Sequence, residues 1–165
     1  MLRRVWRHVI TTRWHLRAAF PAAALDHIEA AIHTGEAAHA GELRFAIEGA
    51  LHLEELWTHR SAAARAQAVF NQLRVWDTDL NNGVLLYVLL AERAIEIVAD
   101  RGYRGRVTEH EWRAACAAAE AEFAAGRYER GAIVLVECVN ELIARHFPAT
   151  TGHQNELPDR PVILR

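Results

Sequence analysis

The chain has 165 residues, of which 52% are hydrophobic, and a formal net charge of -2. This length and composition predict one globular domain with a sizeable core, and the charge balance argues against a nucleic-acid partner. All 19 basic residues are arginine, so Schiff-base chemistry and any phosphate site that depends on a lysine are excluded. Two cysteines, Cys116 and Cys138, indicate no disulfide framework.

The first twenty residues differ from the rest, because they contain five arginines and no acidic residue. Apolar residues recur there at helical spacing, which predicts a basic amphipathic helix over residues 1–20. The stripe consists of Leu2, Val5, Trp6, Val9, Ile10 and Trp14. Two interpretations stay open: the helix contacts an anionic membrane surface, or it packs against the acidic body or a second copy of it.

A helix, a strand and a second helix are predicted next. Apolar spacing indicates an amphipathic helix over 22–38, which stops at Ala40-Gly41. Alternating apolar and charged residues over 42–48 predict the first strand. Ser61 is a suitable cap for a helix over 61–73. The predicted buried side of this helix consists of Ala64, Ala68, Val69 and Leu73.

A buried hairpin follows. Val84 to Leu90 is an unbroken apolar run after the turn signal Asn81-Asn82-Gly83, which is typical of a strand covered on both faces. Residues 94–99 alternate and are the predicted antiparallel partner. Antiparallel pairing brings Asp100 back beside Asn81 and Asn82.

One edge of the predicted sheet collects oxygen-bearing side chains. A right-handed crossover makes the first two strands parallel, so both begin at this edge. The predicted set is Glu42, Asp77, Asp79, Asn82 and Asp100. Hard cations such as Ca²⁺ or Mg²⁺ require oxygen ligands of this kind, which predicts a metal site. The alternative is that the same residue types only form Asx-turns, with Asp100 paired to an arginine.

Two more helices and a tail complete the prediction. Thr108 and Glu111 form a capping box that opens a helix through about Ala125, and the last helix covers 128–146. Residues 148–165 form an extended tail packed on the main domain of residues 22–147. The predicted fold class is α/β, with a small mixed sheet of a parallel crossover and an antiparallel hairpin between helices, an α/β/α sandwich.

Several stretches of the sequence carry a family resemblance. They are Gly41-Glu42-Leu43-Arg44, Thr78, Asn82-Gly83-Val84-Leu85-Leu86-Tyr87, Glu92-Arg93, Glu96-Ile97-Val98-Ala99-Asp100-Arg101-Gly102, Gly126-Arg127-Tyr128 with Gly131, and Asn155-Glu156-Leu157-Pro158. In this order they resemble the TPM domain family, in which many members carry Asp where this chain has Asn81. The family includes thylakoid-lumen proteins linked to photosystem repair and bacterial proteins, and it is often labelled phosphatase.

Two classes of function stay open. In the first, the resemblance implies a divalent-metal-binding interaction or quality-control domain with a protein partner. In the second, the chain is a metal-dependent acid phosphatase in which metal-bound water attacks a phosphomonoester held by Arg101 or Arg104. The sequence offers no convincing nucleophile or dedicated base, so catalytic residues stay unassigned. A zinc alternative rests on His52, Glu55 and His59, which would share one helical face.

The expected location follows from what the sequence lacks. It has no secretory signal pattern and no run of about 18 apolar residues. We therefore expect a cytoplasmic protein, membrane-peripheral where the helix of residues 1–20 contacts lipid.

Overall fold

A four-stranded mixed sheet, in the order β3-β2-β1-β4, forms the centre of the molecule. The computed structural model describes residues 6, 8, 11, 13–51, 61–150 and 154–164. The strands are β1 Glu42–Glu48, β2 Gly83–Leu89, β3 Ala94–Ala99 and β4 Val162–Leu164. Strand β1 pairs in parallel with β2 and β4, and β2 pairs antiparallel with β3. The predicted crossover and hairpin are both present.

Helices cover both faces of this sheet. In the described residues they are α1 Arg13–Ala19, α2 Ala22–Glu36, α3 Ala62–Gln72, α4 Glu109–Ala124 and α5 Tyr128–His146. Helices α2, α4 and α5 pack on one face through Ile28, Phe123 and Leu135. Helix α3 packs on the other face through Val69, where Leu157 of the tail joins it. The α/β/α fold class predicted from the sequence is confirmed.

Local capping signals fix two helix starts. The Ser61 hydroxyl accepts a hydrogen bond from the Ala64 amide at 3.1 Å, and the Thr108 and Glu111 side chains form the predicted capping box. The buried side of α3 differs from the prediction, because Ala62 and Ala66 are buried whereas Ala64 is exposed. Alanine occupies so many positions of this helix that apolar spacing does not select one face.

The amino-terminal stripe is also oriented differently from the prediction. Trp6 and Trp14 are 66% and 74% exposed, whereas His8, Leu16 and Phe20 are buried. Residues two apart on a helix lie about 200° apart, so burying His8 and Leu16 turns both tryptophans outward. Residues 1–5, 7, 9, 10 and 12 lie outside the described residues. None of the helices in the described ranges has the length and apolarity needed to cross a membrane.

Strand β1 ends in a buried carboxylate. Glu48 is fully buried and accepts two hydrogen bonds from the Arg65 guanidinium, both at 2.8 Å, and one from the Tyr87 hydroxyl at 2.5 Å. Burial, with the Glu48 charge beside it, raises the pKa of Tyr87, so the phenol stays a neutral donor. This network fixes α3 against the carboxyl ends of β1 and β2.

Replacing Arg65 by leucine is expected to lower the free energy of unfolding by about 3–5 kcal/mol, because it leaves the Glu48 charge buried without its cation. Arg113→Leu is the matched control, since Arg113 forms an exposed pair with Glu109 at 2.6 Å, and exposed ion pairs contribute little. Urea unfolding of both variants measures the difference. Equal losses of stability would contradict the assignment.

Candidate functional site at the amino edge of the sheet

The structure brings three of the five predicted metal ligands to one edge of the sheet. Glu42, the first residue of β1, is the Cα partner of Gly83, the first residue of β2. The Asp100 amide donates to the Gly83 carbonyl at 2.9 Å, so β3 ends beside the start of β2. Glu42, Asn82 and Asp100 therefore lie at the same edge. We call these three residues the edge cluster.

Asn82 ties this edge together and is almost fully buried. Its amide donates to the Thr78 hydroxyl at 3.1 Å, and its side-chain nitrogen donates to the Ala40 carbonyl at 2.5 Å. Its carbonyl accepts from the Tyr103 hydroxyl at 2.9 Å and from the Glu42 amide at 3.4 Å. Its remaining oxygen, Oδ1, is shielded from solvent and accepts no hydrogen bond from the described residues.

Glu42 is fully buried beneath the carboxy-terminal tail, residues 154–164. Its Oε2 accepts hydrogen bonds from the amides of Glu156 and Leu157, at 3.1 and 2.9 Å.

Tyr103 lies beside this cluster. Burial raises the pKa of Tyr103, and the charges of Glu42 and Asp100 raise it further. The phenol therefore stays a neutral hydrogen-bond donor beside two carboxylates.

Asp100 has one oxygen in a turn and one oxygen without a donor. Its Oδ1 accepts from the Arg101 amide at 2.7 Å and caps the short 3₁₀ helix Arg101–Tyr103. Its Oδ2 is shielded from solvent and accepts no hydrogen bond from the part of the chain that is described. The Arg101 guanidinium donates to Asn81 Oδ1 at 2.8 Å. Turn formation thus accounts for only part of the polar groups at this edge.

The other two predicted ligands have different surroundings. Asp77 is exposed and pairs with Arg74 at 2.6 Å. Asp79 is exposed, and its amide donates to the Glu156 carboxylate at 3.0 Å. Over the described ranges, no three His, Cys, Asp or Glu side chains lie close enough together to hold a metal ion. His52, Glu55 and His59, the zinc alternative, lie outside the described residues.

A second acidic group, centred on Glu36, joins the tail to α2 and was not predicted from the sequence. Glu36 accepts hydrogen bonds from the Leu43 amide at 2.9 Å and the Asn155 side chain at 3.3 Å. Burial, partly offset by the Leu43 bond, raises the pKa of Glu36 to about 8, and the charges of Glu42 and Asp159 add to the rise. No sequence signal links residue 36 to residue 159, because they meet only when the tail folds back.

The sequence of this chain matches the model of a known protein family. The family model described as the TPM domain matches residues 17–142, which include β1, the hairpin and α5 almost to its end. The chain belongs to the TPM domain family. The resemblance read from the sequence is thereby confirmed. No curated protein matches the sequence.

A solved TPM-domain structure has the same fold. The NMR structure of BA42 protein from the psychrophilic bacterium Bizionia argentinensis superposes with a TM-score of 0.78 at 26% sequence identity. The match covers 88% of this chain and 95% of the BA42 chain. The likeness therefore extends beyond the sheet to nearly the whole domain.

The burial of Glu36 against the tail predicts that the stability of the folded protein depends on pH. The pKa of Glu36 is about 8 when folded, against an ordinary value of 4.5, so the folded state holds a proton that the unfolded chain releases. The free energy of unfolding should fall as the pH rises from about 5 to 8, by at most about 1.4 kcal/mol per pH unit for this one proton. Urea unfolding at several pH values measures the slope.

Glu36→Gln is the variant that tests this assignment, because an amide keeps an acceptor for Leu43 without titrating. We expect a shallower dependence on pH between 5 and 8 in Glu36→Gln than in the unaltered protein. Glu137→Gln, at an exposed position of α5, is the control and should leave the slope unchanged. An unaltered slope in Glu36→Gln would refute the role of this carboxyl group.

Proposed function

We propose that this TPM domain binds a divalent cation, Ca²⁺ or Mg²⁺, at the edge cluster of Glu42, Asn82 and Asp100. The observation that carries the proposal is the pair of shielded oxygens, Asn82 Oδ1 and Asp100 Oδ2, which accept no hydrogen bond from the described residues. A buried oxygen without a donor costs about 1–3 kcal/mol, and a hard cation would offset that cost. Carboxylate and amide oxygens are the ligands that such cations prefer.

The charge of the edge cluster favours weak binding. It contains two carboxylates, and one oxygen of Glu42 already accepts two amides of the tail. Asn81 supplies no charge where many family members carry Asp, and Arg101 adds a positive charge at the same edge. Ligand charge sets affinity in calcium sites, so we expect a dissociation constant of about 10⁻⁴–10⁻³ M.

The role we propose for the bound cation is that of a clamp in an interaction or quality-control domain. The edge cluster joins β1, β2 and the turn after β3, and Glu42 also holds the tail. A cation bound there would stabilise the surface that these segments form and would present it to a protein partner. Asp77 and Asp79, further out on the same loop, were also predicted as ligands, but both are exposed and Asp77 pairs with Arg74, so we expect them to contribute little to binding.

Thermal unfolding tests the cation site. After chelator treatment, about 10 mM Ca²⁺ or Mg²⁺ should raise the melting temperature by about 3–10 °C, because a ligand that binds only the native state stabilises it. Asp100→Asn should abolish the rise. Asp77→Asn is the matched control and should keep most of it, since Asp77 pairs with Arg74. No rise with any of Ca²⁺, Mg²⁺, Mn²⁺ or Zn²⁺ would contradict the proposal.

Arg101 favours a second function, metal-dependent phosphomonoester hydrolysis. Its guanidinium lies at the same edge as Asp100, where it could hold a phosphate next to metal-bound water. If the domain is an enzyme, turnover of para-nitrophenyl phosphate should require the cation and should fall in both Asp100→Asn and Arg101→Gln. Hydrolysis that is undiminished in Asp100→Asn would mean a contaminant.

A further inference from the structure

The α1 end of the molecule exposes an aromatic and basic surface that the proposed cation site does not use. Trp14 is 74% exposed on α1, and the residue two positions on, Leu16, is buried in the core. Trp6 is 66% exposed, and the residue two positions on, His8, is buried against Leu51 and Glu92. The inner side of this segment therefore already packs on the body. The tryptophans lie on its outer side.

The exposed side of α1 is strongly basic. Arg13 and Arg17 are exposed on either side of Trp14 in the sequence, and no acidic side chain of the described residues pairs with them. Residues 1–20 contain five arginines and no acid, whereas the rest of the chain has more acidic than basic residues. This excess of positive charge is local, and it calls for an anionic partner.

A cavity of about 620 Å³ lies between α1 and the turn that joins β2 to β3. Its lining includes His15 and Ala18 from α1, Leu90 and Arg93 from the turn, and Tyr128 from α5. Arg93 is exposed and adds a third guanidinium to this end of the molecule. The cavity thus has the positively charged Arg93 guanidinium and other polar groups beside the helix that carries Trp14.

We propose that the α1 end docks on an anionic lipid bilayer. Indole rings favour the boundary between headgroups and acyl chains, and arginines gain free energy near an anionic membrane surface. Trp14 and Trp6 enter this boundary, Arg13 and Arg17 meet lipid phosphates, and Arg93 faces the headgroup that occupies the cavity. The edge cluster lies at the other end of β2, so this docking keeps it away from the membrane.

Sedimentation with lipid vesicles tests the docking. The full chain should pellet with vesicles of phosphatidylcholine containing about 30% phosphatidylglycerol, and not with phosphatidylcholine alone. Raising the salt to about 0.5 M should release most of it, because the attraction is screened. Failure to pellet with the anionic vesicles, or equal pelleting with neutral ones, would overturn the proposal. Binding of an acidic polypeptide without binding of the vesicles would assign the surface to a protein instead.

Paired variants locate the surface. Arg13→Gln with Arg17→Gln should weaken vesicle binding by about five-fold for each arginine, about twenty-five-fold for the pair. Arg74→Gln with Trp76→Ala is the matched control, since these residues form an exposed cation-π pair before β2, at the opposite end of that strand. A loss of equal size in the control would overturn the assignment to α1.

Quenching of tryptophan fluorescence provides a second measurement, because it reports insertion of indole rings into the bilayer and not the overall charge of the protein. Brominated lipids in the anionic vesicles should quench part of the tryptophan emission. Trp14→Phe should remove much of that quenching, whereas Trp76→Phe should retain it. Both variants alter exposed side chains, so an unchanged melting temperature confirms that each remains folded. Quenching that survives in Trp14→Phe and disappears in Trp76→Phe would place the contact at the wrong end of the molecule.

Discussion

Strand β1 has a buried carboxylate at each end, and much of the structure depends on how these two charges are satisfied. An isolated buried carboxylate is too costly to persist unless it is paired or accepts hydrogen bonds. Glu48 is satisfied by Arg65 of α3 and by Tyr87 of β2. Glu42 is held by two backbone amides of the tail. The positions of α3 and of the tail are therefore both linked to the same strand.

Much of the fold could be predicted from local signals in the sequence. The bounds of β3 and α5 agree with the predicted ones, because a hairpin turn, a glycine and a proline mark their ends. The burial of Glu42 and Glu48 could not be predicted from the sequence. Their alternation with apolar residues is typical of a strand with one face in water. The second face of β1 is covered by α3 and by the tail. The tail contact involves the Leu157 amide, which is 115 residues away from Glu42 in the sequence.

The candidate site was only partly predictable, since turns and metal sites use the same residue types. Topology alone brings Glu42, Asn82 and Asp100 to one edge, and the strand register agrees with that prediction. Which oxygens serve turns depends on individual hydrogen bonds, such as that between the Arg101 amide and Asp100. The hydrogen bond from the Tyr103 hydroxyl to the Asn82 carbonyl could not be predicted, because no spacing in the sequence links an aromatic residue to a distant carbonyl.

The short strand β4 has a consequence for association between copies of the chain. It covers β1 over only three residue pairs, and Arg44 reinforces it by donating to the carbonyls of Pro158 and Arg160. Once the tail detaches, β1 becomes an edge strand with unpaired amides and carbonyls. The segment that fits this edge is a tail of identical sequence from another molecule. Conditions that loosen the tail therefore favour reciprocal strand exchange, in which two copies close each other's sheets.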